Sequence, residues 1–156
     1  MVYLLHNMLK KGFFVKKLYY FLLSAFFLSL LSGCATHPPK AGDIKLASKE
    51  RLYNQELYKP SELRDIPIKI TRDTGLRGSI ATVFLKIDGK YIVWLNMSEE
   101  ITIYLAHGGY VFELVHSLCP NKQICSKPTD VTIKSGFNNN FRIMADEGFS
   151  IIRSKT

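Results

Sequence analysis

The chain has 156 residues, 47% apolar and 22% charged, with 21 Lys and Arg against 13 Asp and Glu. That length favours one domain, the apolar content argues against a disordered chain, and a protein crossing the membrane several times would need repeated uncharged runs of about 20 residues. Charge is unevenly placed: residues 1–33 carry Lys10, Lys11, Lys16 and Lys17 and no acid, so the formal +8 falls to +4 over residues 34–156 and a nucleic-acid partner is not expected.

The basic stretch ending at Lys17 precedes Leu18 to Leu31, fourteen uncharged residues rich in Leu, Phe and Tyr, and then Ser32, Gly33 and Cys34. This is the order of a secretory signal. Its apolar core is short for a membrane-spanning helix, which needs about 20 residues, and the small residues that follow suit a peptidase, so cleavage is expected. Met8 opens a tighter signal than Met1 and is an alternative start. Leu31-Ser32-Gly33-Cys34 resembles the lipobox of bacterial lipoproteins. The resemblance implies cleavage between Gly33 and Cys34, a diacylglyceryl group on the Cys34 thiol and acylation of the new amine. Several acyl chains, at about 0.8 kcal/mol per buried methylene, hold a protein far more firmly than one. Apart from this covalent lipid no cofactor is expected. The implied location is the cell envelope, and Ala35 after the cysteine favours the periplasmic face of the outer membrane in a Gram-negative cell.

Ala35 to Lys45 contains Pro38, Pro39 and Gly42 and follows neither the strand nor the helix period, which predicts an extended stretch. Ala47 to Tyr58 predicts a short helix with Ser48 as N-cap, Arg51 and Glu56 facing water, and Leu52, Tyr53, Leu57 and Tyr58 on a partial apolar face. Residues 34–62 are thus expected to form a lipidated tether, and residues 63–156 a β domain.

From Ile66 the pattern changes to short β-rich runs: Ile66 to Arg72, Ser79 to Ile87, Lys90 to Leu95, Ile101 to Ala106, Tyr110 to Ser117, Asp130 to Ser135, Phe141 to Ala145 and Phe149 to Arg153. In the second run Ala81, Val83, Leu85 and Ile87 alternate with Thr82 and Lys86, as a half-buried strand requires. Asp88-Gly89 predicts a two-residue type I′ hairpin. Gly108-Gly109 and Gly136 mark further turns. Short strands with connections mostly too short for crossover helices predict an all-β, antiparallel sandwich of about seven to eight strands. The run Ile70-Thr71-Arg72-Asp73-Thr74-Gly75, then Gly78-Ser79, Asp88-Gly89-Lys90, Ile101 to Leu105 and Gly109, resembles small β-sandwich lipoprotein families of the PEGA-like type. His107-Gly108-Gly109 stands where those chains have Pro-Gly, and Met97-Ser98-Glu99 where a Gly is common. The resemblance implies the fold and carries no catalytic residue.

Cys119 and Cys125 remain after Cys34, and an even pair outside the cytosol is most simply a disulfide. Closing so small a loop removes roughly 2 kcal/mol of unfolded-chain entropy. Free thiols and a metal site are the other readings, and two cysteines six apart with no histidine at finger spacing suit zinc poorly. His107 and His116 lie in no catalytic signature, and Glu99-Glu100 and Asp146-Glu147 fall at expected turns, so an enzyme is not expected. Tyr91, Val93 and Leu95 facing inward would turn Trp94 and Ile92 outward, which makes Trp94 a candidate partner contact. Phe137, beside Asn138-Asn139-Asn140, is a second candidate. Arg72 and Arg77, close in sequence to Arg64 and Lys69, are candidates for an anionic surface.

The expected work is binding or scaffolding of another envelope protein, through an exposed sheet edge or the Cys119–Cys125 loop, with the membrane contacted through the lipid. Two alternatives stay open. One is inhibition of a host hydrolase of the lysozyme type, against which the +4 of residues 34–156 argues because lysozymes are commonly cationic. The other is binding of an anionic glycan or glycolipid.

Overall fold

β-branched and aromatic residues at every second position form strands because a pleated chain sends alternate side chains to opposite faces. The computed structural model describes Ser24 and residues 36–76, 78–118, 126–145 and 148–155, and its strands all belong to the unit Ala35–Thr156. They are β1 (Lys45–Leu46), β2 (Ile66–Arg72), β3 (Val83–Ile87), β4 (Lys90–Leu95), β5 (Glu99–Leu105), β6 (Gly108–His116), β7 (Thr129–Ile133), β8 (Asn140–Ala145) and β9 (Phe149–Arg153). One sheet runs β1-β5-β2-β8-β9 and the other β4-β3-β6-β7. Their inner faces share one core: Ile66, Ile68 and Ile70 of β2 and Ile101 and Ile103 of β5 on one side, Val83 and Leu85 of β3 and Phe112 and Leu114 of β6 on the other. The Phe112 and Phe141 rings meet across the layers at 5.3 Å. Burying such a side chain fully contributes about 1.5–3 kcal/mol, so this alternation is what holds the layers together. The expected all-β sandwich is what the chain forms.

Every run expected from Ile66 onward is a strand, with ends moved by a few residues. Asp88 and Gly89 both take positive φ, 49° and 76°, as the type I′ hairpin demands. Three expectations are corrected. Gly108 and Gly109 are not a turn but the start of β6, paired with Ile133 and Thr132. The sheets are not purely antiparallel, because β1 runs parallel to β5 and β2 parallel to β8. A parallel pair needs a long connection; between β2 and β8 the whole second sheet serves as that connection. Finally, the β3–β4 register slips, with Leu85 opposite Val93 but Lys86 opposite Tyr91. Ile92 is the extra residue of a β-bulge, which reverses the parity before it. Val93 and Leu95 face inward as expected, Ile92 is buried, and Tyr91 is exposed.

The segment before β2 is not an extended tether. His37 and Thr74 exchange backbone hydrogen bonds at 3.0 Å, Lys45 and Ala47 donate to Ser98 and Glu100 carbonyls, and Tyr53 donates to the Ile92 carbonyl. Nor does it contain the expected helix. Lys49–Arg51 and Gln55–Tyr58 form separate 3-10 turns, and Ser48 makes no side-chain cap bond. The reason lies in Leu52, whose backbone bridges Val93 of β4 and so cannot continue a helical ladder. This strap pairs β5 along the first sheet and touches β4 along the second. It covers the two strand edges on one long side of the sandwich.

The registers also give the domain two distinct ends. β2, β4, β6 and β8 finish where β3, β5 and β9 begin. That end carries the 73–82 and 96–98 connections and is called the Leu76 end below. The opposite end carries the Asp88-Gly89 hairpin and the 134–139 loop and is called the Phe137 end.

Candidate functional site

At the Leu76 end the inward-facing positions change from apolar to charged. Arg72 follows Ile66, Ile68 and Ile70 on the inner face of β2, and Glu99 precedes Ile101 and Ile103 on that of β5. The Arg72 guanidinium donates to the Leu95 and Gly78 carbonyls, both at 2.7 Å, and ties the two sheets together. Burial lowers its pKa to about 10, and the Glu99 charge offsets part of that shift. Glu99 is paired with Arg51 of the strap and accepts from the Asn96 amide at 2.7 Å. Burial, then the Arg72 charge, holds the His116 imidazole below its ordinary value; its Nδ1 is buried with no hydrogen-bond partner among the described residues, and its ring packs on Phe149 at 4.7 Å. On the outer face Arg142 grips the buried Asp73 carboxylate through Nε at 2.9 Å and Nη2 at 2.5 Å. These groups organise the domain. None of these groups is a nucleophile, and among the described residues no carboxylate orients His116 as a base.

Arg72 is therefore not a surface contact. It is 3% exposed, and its charge is met by carbonyls inside the sandwich. Trp94 does face away from the core, but the Arg51 guanidinium covers its ring at 4.1 Å, so the expected outward anchor is instead part of the strap's seat. Gly33, Cys34, Arg77, Cys119 and Cys125 lie outside the described residues, and the lipidation and disulfide readings at those positions stand on the sequence.

Phe137 is the candidate that the fold leaves accessible. It is 66% exposed at the tip of the β7–β8 loop, with Lys134 Nζ 5.5 Å from its ring. The loop is fastened from within. Asn138 Nδ2 donates to the Ser154 carbonyl at 2.5 Å, Asn139 Nδ2 donates to the Lys134 carbonyl at 2.8 Å, and the Asn140 amide donates to Asn138 Oδ1 at 2.9 Å. Arg153 completes the arrangement by donating to the Asn138 carbonyl, to Asn139 Oδ1 at 3.1 Å and to the Thr132 carbonyl of β7 at 2.7 Å, while lying over the Phe141 ring. Beside this loop an open cleft of about 420 Å³ is bounded by Asp65, Ile66 and Pro67. Proline fits there for a backbone reason. Lys69 directs its amide to the β8 side, donating to the Asn139 carbonyl, and position 67 has the same parity, so Pro67 forfeits no bond to β5.

The same loop stands at one end of the long side that the strap does not cover. β7 and β9 are the outer strands of their sheets there, and a groove of about 280 Å³ runs between them past Val131, Ile151 and Ile152. Unpaired outer strands and a groove can take up an extended segment of another chain by backbone pairing. The sequence reading missed Arg153 and Arg51 as fasteners. The available signal was Phe141 and Trp94, aromatic faces on which a guanidinium stacks once the strands are in register. Comparison with protein-family models, with curated proteins and with solved structures finds no match to this chain.

Proposed function

We propose that the chain is a lipid-anchored bacterial envelope protein whose sandwich is a binding module for another envelope protein. Cys34 carries the lipid, and a Cys119–Cys125 disulfide braces the β6–β7 connection. The Phe137 loop and the β7–β9 side make the contact. The observation that carries the binding reading is Phe137, a large apolar ring held in water by a loop whose Asn138 and Asn139 side chains are engaged within the domain. A ring fixed in advance loses little entropy when a partner covers it, and buried aromatics commonly dominate interfaces. The lipobox carries the anchor reading.

The anionic-glycan alternative is weakened by the fate of its basic residues: Arg72 is buried, Arg64 pairs with Glu56 at 3.6 Å and Lys69 with Glu100 at 3.2 Å. The test is a photo-crosslinking residue at position 137 of the full chain in intact cells. A single envelope protein captured there, and not from the strap side at Trp94, is the expected result; glycan adducts alone would reject it. Palmitate-analogue labelling of wild type but not of Cys34→Ala checks the anchor.

A further inference from the structure

The strap places Thr36 and His37 at the Leu76 end. His37 pairs with Thr74, and the Thr36 hydroxyl accepts from the Ala145 amide at 3.3 Å, at the finish of β8. One residue separates Thr36 from Cys34, and an extended chain spans at most about 3.6 Å per residue, so Cys34 lies within about 7 Å of Thr36. Whatever holds Cys34 therefore holds this end of the sandwich.

The described residues there expose large apolar chains. Leu76 is 78% exposed and Ile80 is 83% exposed in the β2–β3 connection, and Leu118 is 55% exposed after β6. They belong to one end: the Ser117 amide donates to the Thr82 carbonyl, which ties the residue before Leu118 to the connection that bears Ile80. Met97, in the β4–β5 turn, adds a further exposed apolar chain. Residues 74–76, 78–82, 96–98 and 117–118 contain no charged side chain. In the sequence, the connections of this end carry Arg77, Lys122 and Lys127 against Asp73, Asp146 and Glu147, so net charge does little to select a partner.

We infer that the Leu76 end is a membrane-facing surface, with Leu76, Ile80 and Leu118 seated in the headgroup region of the bilayer that holds the lipid on Cys34. This rests on the reading that Cys34 is lipidated. The occupant is a bilayer because the attachment point is two residues from Thr36 at this end, and the described residues there expose several large apolar chains, the chemistry that partitions into a lipid interface. The Phe137 end then points away from the membrane by about the length of a strand, roughly 20 Å.

The experiment uses the full chain, lipidated in a bacterial host and reconstituted in zwitterionic phosphatidylcholine vesicles. Trp94→Phe removes the single Trp. Ile80→Trp, Leu118→Trp or Phe137→Trp then places one indole at either end, with circular dichroism as the check on folding. Brominated lipid is expected to quench the indole at 80 and at 118, with blue-shifted emission, and to leave the one at 137 unaffected. If the protein floats with the vesicles while the indoles at 80 and 118 keep the emission of water-exposed Trp, the membrane face is wrong and the anchor stands. Blue-shifted emission without vesicles, and no quenching with them, overturns the proposal in favour of a second copy on this face. A protein that neither floats nor carries acyl mass ends both readings.

Discussion

The two long sides of the sandwich begin with the same liability and end differently. On one, β5 and β4 offer unpaired backbone, and the strap covers them with β1, the Leu52–Val93 bridge and the Arg51–Glu99 pair. On the other, β7 and β9 are the outer strands of their sheets. Exposed edges invite pairing with other chains. A chain that uses some fifteen residues of its own to close one side has the means to close edges, so the open side reads as retained rather than unavoidable.

The sharpest way to break this comparison is to release the strap. Glu99→Ala removes the carboxylate that pairs with Arg51 and offsets the charge of Arg72, leaving Arg51 without its ion pair and the buried Arg72 with carbonyl partners but no nearby opposite charge among the described residues. A loss of about 3 kcal/mol is expected, read as a lower urea midpoint. Hydrogen exchange should quicken at residues 45–53 more than at β7 and β9; equal quickening on both sides would mean that the strap is not a separate fastening.

Gly78→Ala tests the Leu76 end. Gly78 has φ +70°, and an added Cβ would lie 2.8 Å from Ala145 Cβ and from the Phe149 ring. Left-handed strain of this kind costs about 1–3 kcal/mol in non-glycine residues, and the close contacts add to it. An unchanged midpoint would show that this end yields easily.

His116 supplies a smaller, pH-dependent effect. Burial and Arg72 depress its folded pKa, so the unfolded chain takes up the proton first. Its contribution is complete above the unfolded value of about 6.5 and is lost as pH falls below it, at no more than about 1.4 kcal/mol per unit. Between about pH 7 and pH 5.5 the midpoint of wild type should fall more than that of His116→Gln. Parallel curves would rule this out.

The least effect on stability belongs to the open side. Phe137→Ala should change stability by no more than about 0.5 kcal/mol, the range of exposed substitutions, while abolishing capture of the partner by a photo-crosslinking residue at the neighbouring position 136. A large loss of stability would show that Phe137 supports the loop rather than awaiting a partner.

From Ile66 onward the fold was legible because most strands alternate and several reversals carry turn chemistry, Asp88-Gly89 above all; the reversal at Ala106-His107 carries none, and the adjacent Gly108-Gly109 suggests the turn in its place. The strap was not, because it is held by backbone bonds, the Arg51–Glu99 pair, the Arg51–Trp94 stack and a few isolated buried side chains, Ala47, Leu52 and Leu57, which follow no strand or helix period. Arg72 misled in an instructive way. As a basic residue it suggested a solvated surface, yet its parity with Ile66, Ile68 and Ile70 directs it inward, and parity outweighed charge because two carbonyls wait at the end of its reach. Tyr91 was misassigned because nothing local announces the bulge at Ile92. Phe137 was legible as an aromatic among asparagines, but the stiffness of its loop depends on Arg153, which approaches from another strand.

The parallel pairing of β2 with β8 has a consequence for the order of assembly. β2 lies between β5 and β8, so one of its neighbours is close in sequence while the other arrives only after the entire second sheet. Contacts so distant along the chain must meet their loop-closure entropy before they give anything back, which makes such topologies slow to fold. A chain delivered from its N-terminus can join β2 to β5 early, but the first sheet stays incomplete, and Arg142 cannot reach Asp73, until β8 is in place. During that interval the nascent domain is most open to protease and to mispairing. Protection then depends on how fast the last strands arrive, more than on the stability of the finished fold.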